Sequence, residues 1–335
     1  MNEYSESLLL GDESDLSNLN FFGLTICPMR QIFKDSMEDM LQKNKEEKDL
    51  NLRCYIPSGC GCTADVEPLV YTEEINEFPD VFASIGFREM FKNSIVDKFI
   101  NKNVFKSAQN KDIHEEFLDA RFIDPKGIYT MYAVSPIVIL IDKKKLGDLP
   151  VPKVWADLLN PIYKDNIILE GSENEIYEHI LLYFYKEFGY ENLKTIAHNI
   201  KDACHSVEMV KRAGTAQSTG AAIYALPWFF AKSCPRRDET FIVWPEDGAI
   251  LNPLCLLAKE SNLEKTSLVV DFLLGTEYGT RSANNYFPSI NSNVNNKLPL
   301  DAKFKWLGWD FIRNNNIEEL IISTNEMFTK ERWNL

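Results

Sequence analysis

Three cysteines of this sequence follow runs that predict strands, and the turns after such strands favour thiol chemistry. Cys60 and Cys62 lie in the turn PSGCGC, between a predicted strand at residues 50–56 and the acidic start of a predicted helix. Backbone N–H groups and the helix dipole stabilise a thiolate there. Cys27 ends a predicted strand at residues 20–27, so we expect it near the pair. Three such thiols are suitable ligands for zinc, copper(I) or a metal cluster. The alternatives are that they form a redox-labile pair or bind no ligand.

Small polar residues in predicted turns form a second group with binding chemistry. Ser58, Gly59 and Ser84 follow predicted strands, and Gly171 and Ser172 follow another. Hydroxyls and backbone amides in such turns bind anions, but the same residues also serve turns and N-caps. Ser172 has capping-box spacing to the glutamate three residues on, which predicts a helix over residues 176–188. No GKS or GKT follows residues 59–61, so the turn is not a phosphate loop.

The remaining reactive residue types match no catalytic pattern. The four histidines have no metal-ligand spacing, and no GxSxG or comparable nucleophile motif occurs. We therefore predict that the protein is not an enzyme. Aromatic residues recur near predicted strand ends, where packing is the expected role of most of them, namely Tyr129, Tyr132, Tyr224, Trp228 and Tyr286.

The elements that position these residues alternate between strand and helix. The apolar run IVILI at residues 137–141 predicts a strand buried on both faces. Before it, strands at residues 20–27, 50–56 and 78–84 are separated by helical patterns. Such alternation indicates an α/β fold with mostly parallel sheets.

Composition narrows the class of protein. The chain has 335 residues, 45% of them hydrophobic, and a net charge of −14. Such a charge disfavours nucleic-acid binding. No apolar run approaches the roughly 20 residues that cross a bilayer, so we predict no membrane span. Residues 1–19 read as a flexible acidic leader without a basic signal region, which predicts a cytoplasmic protein, or an extracytoplasmic one if this N-terminus is incomplete.

Four passages in order resemble one protein family. They are PVPKVWADLLNPIYKDNIIL at residues 150–169, DVFAS at 80–84, GAAIYALP at 220–227 and NYFPS at 285–289. Over residues 20–290 the chain resembles class II periplasmic solute-binding proteins of ABC importers, and the ferric-iron-binding-like branch most. It lacks an export signal, carries two cysteines that are not typical of the turn after the second strand, and has Phe287 rather than a second tyrosine beside Tyr286.

This resemblance implies a type II periplasmic-binding-protein-like fold. It implies two lobes, at residues 20–133 plus 251–335 and at residues 134–250, each a mostly parallel sheet flanked by helices and joined by two crossing segments. A small polar or anionic solute, or a metal complex, would bind between the lobes by hinge closure, with an ABC permease as a possible further partner. No cofactor is expected, and a metal ion is left open. The implied ligand-binding residues are Cys27, Ser58, Gly59, Cys60, Ser84, Ser135, Gly171, Ser172, Thr215, Trp228, Trp244 and Tyr286.

Two hypotheses from other classes compete with this one. The first is a cytosolic metal or redox protein, or an enzyme, that uses Cys27, Cys60 and Cys62. The second is a transferase with the architecture of porphobilinogen deaminase, which would need a cofactor-attaching cysteine; no motif marks Cys255 or any other cysteine for that role.

Overall fold

The computed structural model describes residues 16, 18–48, 52–57, 63–172 and 175–333. The strands are β1 (Phe21–Gly23), β2 (Cys54–Tyr55), β3 (Val81–Ile85), β4 (Thr130–Asp142), β5 (Ile167–Ser172), β6 (Glu175–Ile176), β7 (Ile200–Cys204), β8 (Ile223–Pro227), β9 (Thr240–Val243), β10 (Ala249–Ala258) and β11 (Phe304–Lys305). The helices are α1 (Arg30–Lys48), α2 (Thr63–Val70), α3 (Asn93–Lys98), α4 (Glu115–Asp119), α5 (Lys143–Leu146), α6 (Glu178–Ala197), α7 (Ser206–Arg212), α8 (Trp228–Ser233), α9 (Leu263–Leu274), α10 (Thr276–Asn284), α11 (Trp309–Asn314) and α12 (Ile317–Trp333).

The chain folds into two compact units. Unit 1 contains the residues up to Glu115, with Ile123–Val134 and Pro253–Asn296. Unit 2 contains Glu116–Phe122, Ser135–Asn252 and the residues from Lys297 onward. The boundary at Val134–Ser135 therefore falls within β4, and the boundary at Asn252–Pro253 falls within β10.

The C-terminal part of the chain packs elsewhere than the resemblance implied. Residues 251–335 were expected in the first lobe, but those from Lys297 onward belong to unit 2. The reason is the packing of α12 against α6. The Asn325 side chain also exchanges two hydrogen bonds with the backbone of Ile176, accepting from its N–H at 3.0 Å and donating to its carbonyl at 2.9 Å.

Unit 1 is built on a short parallel sheet with one antiparallel neighbour. β1 lies between β2 and β3 and is parallel to both, and β10 pairs with β3 in the antiparallel sense. Helix α1 covers the sheet by packing Phe33 against the ring of Phe21, with 6.1 Å between ring centroids. Gly23 makes this close approach possible, because a Cβ there would lie 2.6 Å from the Phe21 ring and 2.9 Å from the Phe33 ring.

Unit 2 is built around the apolar strand β8. β8 is antiparallel to β4 and parallel to β5, which is in turn parallel to β7. Every residue of β8 is buried, as the continuous apolar run predicts for a strand covered on both faces. Helix α6 is interrupted at Gly189, whose φ of 75° suits glycine and breaks the helical geometry.

The capping box predicted at Ser172 is wrong. Ser172 pairs with Glu175 in an antiparallel hairpin between β5 and β6, and α6 begins only at Glu178, after the N-cap residue Tyr177. Gly171 permits the hairpin, because a Cβ at this position would lie 2.0 Å from the Glu175 carbonyl oxygen. The serine and the glutamate at capping-box spacing therefore pair across two strands and do not cap a helix.

Candidate ligand-binding site

The carboxyl ends of β1 and β3 lie side by side in unit 1. Pairing continues past β1, because the Leu24 N–H donates to the Ala83 carbonyl at 2.8 Å. Beyond it the chain turns through a short 3₁₀ helix, Cys27–Met29, with Pro28 in its first turn. In α/β folds, ligands bind beside the carboxyl ends of parallel strands, so this end of the sheet is the candidate site of unit 1.

Three buried hydroxyl groups lie close together near this end, and we call them the hydroxyl cluster: Thr25, Tyr132 and Tyr278. A fourth buried hydroxyl, that of Ser84, lies on the other face of the sheet, because Ser84 shares the face of Phe82 whereas Tyr278 packs with Phe33 on the face of Phe21. Ser84 is 2% exposed and lies opposite Cys255 in the pairing of β3 with β10, while Tyr132 is 1% exposed. The rings of Tyr132 and Tyr278 are 6.4 Å apart. The Ser84 and Tyr132 hydroxyls have no hydrogen-bond partner among the described residues. Buried polar groups are rarely left so, which marks the cluster as a place where another molecule can bind.

The electrostatics of the hydroxyl cluster keep it uncharged. Burial raises the pKa of Tyr132 well above its usual value, and the neighbouring Tyr278 and Cys255 raise it further. Burial also raises the pKa of Tyr278, and the Thr25 hydroxyl offsets part of that shift, although the geometry between these two groups falls short of a hydrogen bond. No lysine or arginine is among the causes of either shift. At neutral pH the cluster therefore offers neutral donors and acceptors.

The carboxyl ends of β5, β7 and β8 share one edge of the unit 2 sheet, because the three strands are parallel. Ser172 and Trp228 lie at this edge. Trp228 is buried and meets Trp244 edge to face, with 5.3 Å between ring centroids. The Lys232 ammonium lies 5.8 Å from the Trp228 ring centroid, within cation–π distance.

A buried carboxylate organises this edge. Glu170 of β5 is 5% exposed, and its carboxylate accepts from the Ser206 hydroxyl and lies 3.1 Å from the His179 Nε2. His179 belongs to the first turn of α6, and Ser206 begins α7. The carboxylate thus ties the end of β5 to two helix starts and is itself paired, as a buried charge requires.

The structure places the implied ligand residues unevenly. Ser84 is buried near the carboxyl end of β3, and Gly171, Ser172, Trp228 and Trp244 lie at or beside the edge of unit 2. Ser135 is buried within β4, and Thr215 follows α7, where its carbonyl accepts from Lys145. Cys27 is exposed, and Tyr286 adopts a left-handed φ of 64° after α10. Three implied residues, and the proposed metal ligand Cys62, lie outside the described residues; the three are Ser58, Gly59 and Cys60.

Several residues of the two edges escaped sequence reasoning. Thr25 and Tyr278 belong to no sequence motif, and the sequence predicts packing as the role of Tyr132. Glu170 and His179 are nine residues apart, a spacing that indicates contact neither in a helix nor in a strand. A buried strand that ends in a glutamate, IILEG at residues 167–171, was the available signal, since a buried carboxylate requires a partner.

The described thiols do not form a metal centre. Burial raises the pKa of Cys54 to about 12 and that of Cys204 to about 11, and it also raises the pKa of Cys255. These thiols are protonated at neutral pH, whereas metal binding and nucleophilic attack need the thiolate. Within the described ranges, no group of three or more histidine, cysteine, aspartate or glutamate side chains is placed to hold a metal ion. Cys60 and Cys62, two of the three proposed ligands, lie outside those ranges.

Sequence comparison assigns the family. A model of bacterial extracellular solute-binding proteins matches residues 76–315, which is well over half of the chain. The chain belongs to this family. A search of curated proteins found no match to this solute-binding protein.

Solved structures similar to this solute-binding protein share its fold. An apo ferric ion-binding protein A from Pasteurella haemolytica is 15% identical with a TM-score of 0.62, over 95% of this chain and 98% of its own. A spermidine/putrescine substrate-binding protein from Streptococcus pneumoniae is 14% identical with a TM-score of 0.56, over 94% and 100%. A periplasmic binding protein from Actinobacillus pleuropneumoniae, with fructose-6-phosphate bound, is 14% identical with a TM-score of 0.58, over 95% and 98%.

These comparisons settle the class of fold and of function at a coarse level. The fold is the predicted type II periplasmic-binding-protein fold. The family is one of solute-binding proteins. At such low identity the ferric-iron branch is not established. The family is described as extracellular, so it gives no support to the expected cytoplasmic location. In the part of the chain that the structure covers, no helix combines the length and the apolar character needed to cross a membrane.

Proposed function

We propose that this solute-binding protein captures a small polar or anionic solute, or a metal complex, outside the cytoplasm and passes it to an ABC permease. It acts as a binding protein and carries out no chemistry on the solute. The observation that supports this proposal most is the hydroxyl cluster, because buried donors without partners lie at the sheet end where this fold class binds ligands.

The energetic argument concerns the unpartnered hydroxyls of Ser84 and Tyr132. A buried polar group without a partner costs about 1–3 kcal/mol. A solute that hydrogen-bonds to such a group removes this cost in the bound state. A solute that binds one conformation of the protein more tightly than another shifts the protein toward that conformation. The proposed hinge closure is such a shift.

The identity of the solute does not follow from the fold. The names of the three similar structures refer to ferric ion, to spermidine or putrescine and to fructose-6-phosphate. One fold thus serves ligands of opposite charge, and side chains at the site decide between them. A ferric ligand receives little support from the sequence, because Phe287 rather than a second tyrosine follows Tyr286.

Native mass spectrometry of protein purified under non-denaturing conditions tests the proposal. We expect a single small-molecule adduct that is lost on denaturation and whose re-addition raises the melting temperature. Small-angle scattering with and without that molecule should show a smaller radius of gyration in the bound state. A protein without an adduct, whose melting temperature responds to no sugar, oxyanion, amino acid, polyamine or metal complex, would contradict the proposal.

A further inference from the structure

We infer that the hydroxyl cluster of unit 1 binds an uncharged, hydroxyl-bearing part of the solute, as found in a sugar or polyol, and not an ionic group or a metal ion. This inference rests on the proposed solute-binding function and specifies which chemical class the unit 1 part of the site accepts. It is drawn from three side chains that all belong to unit 1: Thr25, Tyr132 and Tyr278.

The first step concerns the number and type of groups. Tyr132 presents a buried hydroxyl with no partner among the described residues, and the hydroxyls of Thr25 and Tyr278, buried beside it, also have none. A hydroxyl is both donor and acceptor, so a set of hydroxyls complements other hydroxyls, which also donate and accept. A carboxylate or phosphate only accepts, and an ammonium only donates, so neither uses both capacities of the cluster.

The second step concerns charge. Neither tyrosine of the cluster owes any part of its pKa shift to a cation, and burial is the largest cause of both shifts. Two basic side chains of unit 1 are bound elsewhere: Lys259 lies against Asp80, and Arg281 donates to Ser36 and Glu277. The desolvation that disfavours a phenolate at this site also disfavours a negatively charged group of a ligand. A neutral ligand group avoids this cost.

The third step concerns the surroundings. Tyr278 lies between the rings of Phe33 and Phe272, at centroid distances of 5.4 Å and 5.1 Å. Cys255, opposite Ser84, contacts the Met90 sulfur at 3.4 Å. The hydroxyls are therefore set among apolar and weakly polar groups. A few polar groups in an apolar lining are typical of sites for small organic molecules.

Two tyrosines make a matched pair of variants. Tyr132→Phe removes the unpartnered hydroxyl, whereas Tyr163→Phe removes a buried hydroxyl that donates to the Pro150 carbonyl at 2.8 Å. We expect Tyr163→Phe to lower the melting temperature of the free protein by about 2–4 °C, since it breaks a hydrogen bond of typical strength. Tyr132→Phe should leave it unchanged or raise it. If Tyr132→Phe lowers it as much as Tyr163→Phe does, ordinary core water satisfies the hydroxyl and the inference is wrong.

The binding test uses a panel of probes on the full chain. Neutral monosaccharides and polyols form one arm, and sulfate, phosphate, spermidine and ferric citrate form the other. We expect only the neutral arm to raise the melting temperature. For the strongest neutral probe, calorimetry should show about tenfold weaker binding to Tyr132→Phe and unchanged binding to Tyr163→Phe.

The outcomes separate this inference from the proposed function. Binding of a charged probe that Tyr132→Phe weakens leaves the proposed function intact and overturns the inference, as does a neutral probe that both variants bind normally. If no probe binds, the adduct seen by native mass spectrometry decides: a neutral polyhydroxylated molecule supports the inference, and a charged one overturns it. No binding and no adduct would overturn both proposals.

Discussion

The two ends of strand β3 differ in how their buried polar groups are satisfied. Just before β3, the Asp80 carboxylate accepts from the Asn20 amide at 2.7 Å and from the Asn262 amide at 2.5 Å. The Lys259 ammonium lies 3.5 Å from the same carboxylate and donates to the Phe78 carbonyl at 2.5 Å. At the other end of β3, the Ser84 hydroxyl has no partner among the described residues.

This difference separates a structural end from a binding end. A buried ion pair whose remaining hydrogen-bonding capacity is filled by amides has a small net effect on stability, but removing one of its partners is strongly destabilising. Burial lowers the pKa of Lys259, and the Asp80 carboxylate opposes that shift by favouring the charged ammonium. The carboxyl end holds no such network and keeps neutral hydroxyls available. The predictions below test this contrast, beginning with the largest expected effect.

Replacing Asp80 should cause the largest loss of stability. Asp80→Ala leaves the Lys259 ammonium buried without a carboxylate and two amides without an acceptor, so we expect a loss of about 3–5 kcal/mol in the free energy of unfolding. Chemical denaturation measures it. Glu260→Ala is the control, because the Lys106–Glu260 pair is exposed and its removal should cost about 0–1 kcal/mol. Equal losses in the two variants would show that the buried network does not hold this end together.

Two serines should separate partnered from unpartnered hydroxyls. The Ser206 hydroxyl donates to the buried Glu170 carboxylate, so Ser206→Ala should cost about 1.5–3 kcal/mol, the range for a hydrogen bond to a charged group. Ser84→Ala removes a buried hydroxyl without a partner and should leave stability unchanged or raise it, by up to about 3 kcal/mol. Unfolding in urea compares the two variants. A loss at Ser84 as large as that at Ser206 would mean that Ser84 is bonded in the free protein.

Alkaline pH should reveal the buried tyrosine of the hydroxyl cluster. The pKa of Tyr132 in the folded protein lies above that of an unfolded tyrosine, about 10, so above this pH the unfolded state loses a proton that the folded state keeps. The free energy of unfolding therefore falls as pH rises above about 10. In Tyr132→Phe the fall should be less steep, by up to about 1.4 kcal/mol per pH unit. Identical slopes for variant and wild type, from urea unfolding between pH 9 and 11, would show that Tyr132 ionises freely.

Much of the fold could be predicted from local patterns. The run IVILI marked β4, and the periodicity that begins at Arg30 marked α1, because buried strands and amphipathic helices leave signals within one window. The hairpin at Ser172 could not be predicted, since it depends on how closely Gly171 lets two strands approach. The packing of residues from Lys297 onward with unit 2 also escaped prediction, because it depends on contacts between α6 and α12, about 140 residues apart.

The candidate site was predicted less completely than the fold. Ser84, Ser172 and Trp228 follow strands, so a rule about strand ends selects them. Tyr132 and Tyr278 lie inside a strand and a helix, where tyrosine most often packs, and only the absence of a partner for a buried hydroxyl marks such a residue. That absence is a property of the folded chain and cannot be read from one sequence.

One double comparison tests the contrast between the two ends most directly. It measures, by thermal unfolding with and without the strongest neutral probe, the ligand-induced stabilisation of Tyr132→Phe and of Asn262→Ala. Asn262→Ala should lower the stability of the free protein and keep the ligand-induced shift, because its amide serves the Asp80 network. Tyr132→Phe should keep or raise the stability of the free protein and lose most of that shift. Loss of the shift in Asn262→Ala together with a full shift in Tyr132→Phe would contradict the assignment of the hydroxyl cluster, near the carboxyl end of β3, to ligand binding.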